Sequence, residues 1–380
     1  MSERFFLWTM FAVVMGPTIA GVVAADASGT ASLPGAAVVI SAADYPSLQA
    51  AVDALPADGG IVRIPPGTFE VTSPLRISGE NVHLVGSGPA SVLRNTNTDG
   101  AATIELLPPD LVDRSAPGNK RVNRWRIQVS DLRLIGNEKS GPGIDALWVN
   151  EIFLHGLTIT EHGGDGVRLD HCYEDPRIAD CLLTYNKGAG VNLLGCHDIV
   201  VSANHFEENL DALHCIDSFN LCMNGNNLDD HLRDGVVIEN TYGSVLSGNM
   251  IEECQGWAVI LDRDCYGDTI SANVIAHNGG GVDLRDAHGC AVIANTFTII
   301  KEHALRIGPG SGRITVTGNN FSNSFLGDDQ VKRATDDFAA AGMTLEGTRD
   351  VSITGNVFSG LTTPAIQRLG DNSERIAIIG

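Results

Sequence analysis

From about residue 124 the chain alternates short apolar phrases with polar corners, and one phrase returns at near-constant intervals. Val201-Ser-Ala-Asn-His-Phe206, Met223-Asn-Gly-Asn-Asn-Leu228, Leu246-Ser-Gly-Asn-Met-Ile251, Ile270-Ser-Ala-Asn-Val-Ile275, Val292-Ile-Ala-Asn-Thr-Phe297, Val316-Thr-Gly-Asn-Asn-Phe321 and Ile353-Thr-Gly-Asn-Val-Phe358 share one plan. An apolar-alternating strand ends in a small residue and Asn, and a second short strand follows with an inward Phe, Ile or Leu. The aligned Asn residues are 204, 226, 249, 273, 295, 319 and 356, spaced by 22, 23, 24, 22, 24 and 37. Such a period is one turn of a solenoid. A further alternating phrase follows a polar loop in each turn, as in Gly166-Val-Arg-Leu169, Gly190-Val-Asn-Leu193, Gly235-Val-Val-Ile238 and Gly281-Val-Asp-Leu284. Inward Val, Ile and Leu at period two predict parallel sheets in which each strand pairs with its copy one turn on. Stacked Asn amides about 4.8 Å apart can hydrogen-bond along the axis and hold a tight bend.

The period extends backwards through Ile178, Leu154 and Val129, with Cys181, Leu157 and Leu132 in the Asn column. The long step to Asn356 requires an insertion at about residues 322–341, and a Pro- and charge-rich insertion at about 108–123 precedes the regular turns. Residues 46–55 place Leu48, Ala51, Val52 and Leu55 on one helical face. Residues 1–25 read as a signal peptide, with an apolar run from Phe5 to Met15 and small residues before a cut after Ala24 or Ala25. Residues 26–380 then form one exported domain, secreted or periplasmic, with no membrane span. A net charge of -21 argues against a nucleic-acid partner, which needs clustered Lys and Arg. Eight Cys in an exported chain permit disulfides. Cys172 and Cys196 share a column on adjacent turns, as a bridge or as buried stacked thiols.

The stretch Ala43-Asp-Tyr-Pro-Ser-Leu-Gln-Ala-Ala-Val-Asp-Ala-Leu-Pro-Ala-Asp-Gly-Gly-Ile-Val-Arg-Ile-Pro-Pro-Gly-Thr-Phe69 resembles the opening of the pectate-lyase-like right-handed parallel β-helix superfamily. The resemblance covers essentially the whole mature chain. It implies an all-β fold, a single right-handed parallel β-helix solenoid whose N-terminal end is closed by a short capping helix within residues 43–60. It names no single chemistry, because the superfamily holds lyases, hydrolases, epimerases, tailspikes and non-catalytic surface proteins.

The resemblance also implies that activity sits on the sheet formed by the phrase after the polar loop. With Val167, Val191, Leu213, Val236, Val259, Val282 and Leu305 inward, the outward positions that follow are Arg168, Asn192, His214, Val237, Ile260, Asp283 and Arg306. Two further on come Asp170, Leu194, Ile216, Glu239, Asp262, Arg285 and Gly308, and just before the strand lie Asp165, Ala189, Asp211, Asp234 and His303. Ionisable positions gather between residues 211 and 306. Asp234, Asp283, Asp262, Asp211, Glu239 and His214 are therefore the candidate catalytic groups, and Arg285, Arg306 and His303 the candidate substrate-binding groups. Stacked like charges raise one carboxyl pKa, which suits a general acid. The first assignment makes Asp234 the acid and Asp283 or Asp262 the base.

The pectin-hydrolysing glycosidases carry Asn-Thr-Asp, Asp-Asp, Gly-His-Gly and Arg-Ile-Lys phrases on this sheet. Asn97-Thr-Asp99 is similar to the first, but Gly141-Pro-Gly143 stands where paired Asp would, and Arg306-Ile-Gly308 lacks the Lys. No specific enzyme family is matched. The residue types name no cofactor; Asp229-Asp230-His231 could contribute to a Ca²⁺ site, whose ligands are oxygens from several segments. The chain thus reads as an exported enzyme that cleaves a polysaccharide, an acidic one by preference, with hydrolysis slightly ahead. The alternatives are a polysaccharide lyase or uronate epimerase of the same fold, and a non-catalytic glycan-binding or surface protein.

Overall fold

The computed structural model describes residues 35–109, 123–322 and 339–380. The expected signal peptide and most of both insertions lie outside the described residues. The chain is a right-handed parallel β-helix built from three long parallel sheets. The second and third sheets each hold twelve strands, and the first follows the same turn order. Successive turns feed strands to the three sheets in order, and each strand pairs with its copy on the next turn. Leu154, for example, pairs with Val129 on one side and Ile178 on the other. A helix at Leu48–Asp53 caps the N-terminal end, its first turn closed by Ser47 Oγ accepting from the Ala50 amide at 3.1 Å. Gln49 ties it to the adjacent strand by hydrogen bonds in both directions with the backbone of Arg76.

The Asn column is continuous. Each Oδ1 accepts two hydrogen bonds from the Asn one turn before, one from its backbone N–H and one from its Nδ2. For Asn226 and Asn249 these are 3.0 and 2.9 Å, and the pattern repeats from Asn204 to Asn356. Nδ2 also donates to a strand carbonyl of the preceding turn, as Asn273 does to Leu246 at 3.0 Å. The bend that carries each Asn explains the small residue before it. Ala203, Gly225, Gly248, Ala272, Ala294, Gly318 and Gly355 all have φ between 55° and 67°, the left-handed region where bulky and β-branched side chains are costly. Cys181 takes the column's place on the turn before Asn204, its amide donating to Asn204 Oδ1.

A second polar column, not foreseen from the sequence, lines the next bend. His162, Asn186, Asn209, His231, Cys254 and Asn278 follow one another there, with Asn186 donating to Asn209 Oδ1 at 2.8 Å and Cys254 N–H to Asn278 Oδ1 at 2.8 Å. Burial holds the His162 and His231 imidazoles neutral, pushed down to about 4. The eight Cys are free thiols, seven of them buried; Cys172 and Cys196 lie in the interior without a bond between them. Outside, at the corner between the third and first sheets, Tyr173, His197, Phe219 and Tyr242 pack ring on ring at 4.6 to 5.4 Å.

One interior group is charged only against resistance. Asp268 is 1% exposed, its Oδ1 accepts from the Ser244 amide at 2.7 Å, and Oδ2 has no partner. Burial outweighs the Ser244 hydrogen bonds and pushes its carboxyl up to about 7.

Asn273→Ala removes the acceptor for two donors of Asn249 and should lower unfolding stability by about 1 to 3 kcal/mol. Asn356→Ala, at the end of the column, should cost less; denaturant midpoints measure both. For Asp268 the folded-state pKa lies above the unfolded value of about 3.9. Its contribution is therefore favourable below about pH 4 and is lost as pH rises through about 7. Asp268→Asn should raise the melting temperature at pH 8 and lose that advantage at pH 4. Parallel pH profiles for the two proteins would rule this out.

Candidate functional site

The strands Asp211–Ile216, Val236–Glu239, Trp257–Asp262, Gly280–Leu284 and Leu305–Ile307 lie side by side in the third sheet. The register puts His214, Val237, Ile260, Asp283 and Arg306 in one column. Glu239 and Asp262 pair in another. The candidate residues do not converge on one point. Their contacts divide them into separate networks.

The first network joins Asp211, His214, Arg233 and Asp234. Asp211 is 1% exposed, and its carboxylate receives the Arg233 guanidinium through both oxygens, His214 Nε2 at 3.0 Å and the Asp234 amide at 2.9 Å. Burial opposes its charge, but the bonds from His214, Arg233 and the Asp234 amide outweigh it and hold the carboxyl well below its ordinary range. Asp211 is thus a fixed anion. His214 Nε2 also lies 3.3 Å from Arg233 Nη2, and its closer carboxylate contact is met by a proton on Nε2. Nδ1 has no hydrogen-bond partner among the described residues, on an imidazole 21% exposed. The Asp–His contact spans three residues within one strand. Asp211 and His214 have opposite parity, and Asp211, Ala212 and Leu213 are all buried in succession, so strict alternation fails within this strand.

Asp234 occupies the Asp211 position one turn on. Its Oδ1 accepts the Trp257 amide at 2.7 Å, and Gly256 leaves the room, since a Cβ there would strike that oxygen. Burial and repulsion from Asp211 raise its pKa, partly countered by the Trp257 bond. Asp165 plays the same backbone-holding part earlier, accepting the Ala189 amide at 2.8 Å and Asn192 Nδ2 at 3.0 Å, and burial raises it too.

The second network is an ion-pair chain. Asp283, 1% exposed, lies between Arg285 Nε at 2.7 Å and Arg306 Nη1 at 3.0 Å. Arg306 continues to Glu346 at 2.6 Å, and Arg285 reaches towards Asp262 at 3.9 Å. Glu346 escaped the sequence reading because it lies beyond the second insertion. Glu239 belongs elsewhere, paired with Arg263 at 2.7 Å. His303 is set apart from both networks, bonded to the Thr344 hydroxyl at 2.8 Å and parallel to Trp257.

These placements bear on the first acid–base assignment. Asp283 has both oxygens committed to guanidinium groups and is poorly placed to activate water. Asp262 uses Oδ1 to accept the Arg263 amide at 2.8 Å. His214 has the open acceptor. In the Asp229-Asp230-His231 loop, His231 is buried in the second polar column and faces away from any surface ion. Asp229 and Asp230 instead gather with Glu253, and Glu252 and Glu253 with His277, ligand atoms within 4.8 Å, an oxygen-rich set suited to a hard cation. Asn97 closes a turn by accepting the Asp99 and Ala101 amides, between strands of the second and third sheets.

Residues 179–360 match the family model described as periplasmic copper-binding protein (NosD). A search of curated proteins finds no match. Among solved structures, the mannuronan C-5 epimerase AlgE6 A-module of Azotobacter vinelandii superposes with TM-score 0.68 at 16% identity, over 90% of this chain and 99% of that one. The AlgE4 A-module of the same organism gives 0.65 at 16%, over 88% and 99%. PfbA, a surface adhesin of Streptococcus pneumoniae, gives 0.58 at 13%, over 89% and 93%. At these identities the likeness establishes the right-handed β-helix fold.

The two kinds of ion pair separate in stability. Asp283→Ala removes a buried anion from between the half-buried Arg306 and the exposed Arg285 and should cost about 2 kcal/mol or more in chemical denaturation. Glu239→Gln breaks an exposed pair and should stay within about 0.5 kcal/mol of the parent.

Proposed function

We propose that the chain acts on an acidic polysaccharide, with His214 as the base that removes the C5 proton of a uronate residue. The observation that carries this reading is the 3.0 Å contact between His214 Nε2 and the fixed anion Asp211, which orients the ring and leaves Nδ1 free to accept a proton. Abstraction next to a carboxylate needs that charge neutralised, and the exposed Arg233 guanidinium beside His214 is the nearest cation. Asp234, with its raised pKa and a place on the next turn, is the candidate donor that returns a proton. Proton return at C5 gives the epimer, and loss of the O4 substituent gives a cleaved, unsaturated end. Arg285, Arg306 and His303 lie further along the same face, where neighbouring sugar residues of a bound chain would pass. The structural likeness to mannuronan C-5 epimerase modules accords with a carbohydrate-active β-helix. The commitment of Asp283 to two arginines favours this reading over hydrolysis with Asp283 as base.

Periplasmic or extracellular residence accords with the described family and with a substrate that is itself outside the cytoplasm. Among the described residues no helix is long and apolar enough to cross a membrane.

The test is incubation with polymannuronate, polyguluronate and polygalacturonate, followed by absorbance of unsaturated ends and by C5 configuration of the product. His214→Gln and Asp211→Asn should each lower turnover by about 10² to 10⁴, with Asp211→Asn acting through the ring it orients. Reducing ends released without unsaturation would indicate hydrolysis, and turnover that survives His214→Gln would move the base elsewhere.

A further inference from the structure

The corner position that carries Asp211 and Asp234 carries Trp257 on the following turn, then Gly280, then His303. Trp257 is anchored at its amide by Asp234 Oδ1. Its indole leans over the next turn into space that Gly280 leaves open; a Cβ at Gly280 would overlap the ring at Cε3 and Cδ2. Beyond Gly280 the His303 imidazole lies parallel to the indole, 5° between planes and 6.0 Å between centroids. The Thr344 hydroxyl fixes that imidazole at 2.8 Å. Both rings are half-buried. The two turns that precede Gly280 carry Val237 and Ile260, both buried, as the apolar pair of an otherwise polar column. On one side along the axis stand His214 and Arg233, on the other Asp283 and Arg306.

A glycine cleared for an indole, a second ring held parallel to it, and sets of ions on either side along the axis together match the chemistry of a pyranose. The C–H face of a sugar stacks on an aromatic ring, while its hydroxyls and carboxylate reach charged groups at the edge. Trp257 lies two turns from His214, about 10 Å along the axis, a distance that leaves the reacting residue at His214 and brings a later residue of the same chain over the rings.

We infer that Trp257 and His303, seated by Gly280, form a sugar-stacking subsite for a polyuronate chain lying along the solenoid axis. The inference rests on His214 marking the reacting residue. It gives the face a direction and makes the protein selective for chains long enough to span both places.

Binding is measured on the full chain carrying His214→Gln, by calorimetry and tryptophan emission, with trimers and hexamers of mannuronate, guluronate and galacturonate. Hexamers should bind more tightly than trimers and shift the emission. Trp257→Ala in this background should weaken hexamer binding by about tenfold and remove most of the hexamer advantage, whereas Trp257→Phe keeps most of it. Gly280→Ala, which pushes on the indole with Trp257 intact, should weaken hexamers in the same direction. Circular dichroism and denaturant midpoints identify any variant that has lost its fold, in which case Gly280→Ala and Trp257→Phe decide. Hexamer affinity unchanged in Trp257→Ala, equal losses for trimer and hexamer, or no binding of any oligomer would overturn the subsite. Trp257-dependent hexamer binding without turnover by the unmodified chain would sustain the subsite and remove the reaction assignment. Turnover with the hexamer advantage intact in Trp257→Ala would do the reverse.

Discussion

The whole arrangement depends on one constraint: each strand pairs with its own copy one turn away, and the Asn amides keep those copies in register. Every Oδ1 from Asn226 to Asn319 receives two donors from the turn before, so a slip of one residue would leave several buried donors unpaired at once. Register, once fixed, turns sequence positions into straight columns on the surface. Chemistry in this molecule is therefore written along the axis, and residues more than twenty apart in sequence become neighbours.

That geometry also explains why charged side chains on the third sheet serve two purposes. Asp165, Asp211 and Asp234 each accept a backbone amide of the following turn at 2.7 to 2.9 Å, so the corner column is first a structural device. The proposed chemistry uses the places where the device is incomplete or overdetermined. Asp211 is overdetermined, held as an anion by Arg233 and His214, and it passes that order on to the imidazole. Asp234 has fewer partners and a carboxyl that resists ionisation. Where the column drops the carboxylate altogether, at Trp257 and Gly280, a ring and a gap replace it.

Much of the fold was legible in the sequence because it rests on repetition. The Asn phase, the small residue before each Asn and the inward column from Val167 to Leu305 all reappear in the strand register. The capping helix was legible from its apolar face. The site was less so, for physical reasons. Alternation predicts which side a residue faces but not its partner, and it could not show that Asp283 is enclosed by Arg285 and Arg306. Nor could it pair Asp211 with His214, since alternation fails where Asp211, Ala212 and Leu213 are buried in succession. Trp257 gave no signal because its meaning depends on the missing side chain at Gly280, one turn away. The second polar column was hidden by its mixed membership of His, Asn and Cys.

Proton abstraction at C5 is the claim on which the functional account stands, and solvent isotope incorporation tests it most directly. The full chain would be incubated with polymannuronate, polyguluronate or polygalacturonate in D₂O and the sugar C5 position followed by NMR. The account predicts loss of the C5 proton signal, with deuterium in its place or an unsaturated end formed, on at least one of these polymers. It also predicts that Asp211→Asn slows the loss. Chains that are bound but keep their C5 protons indefinitely would contradict it.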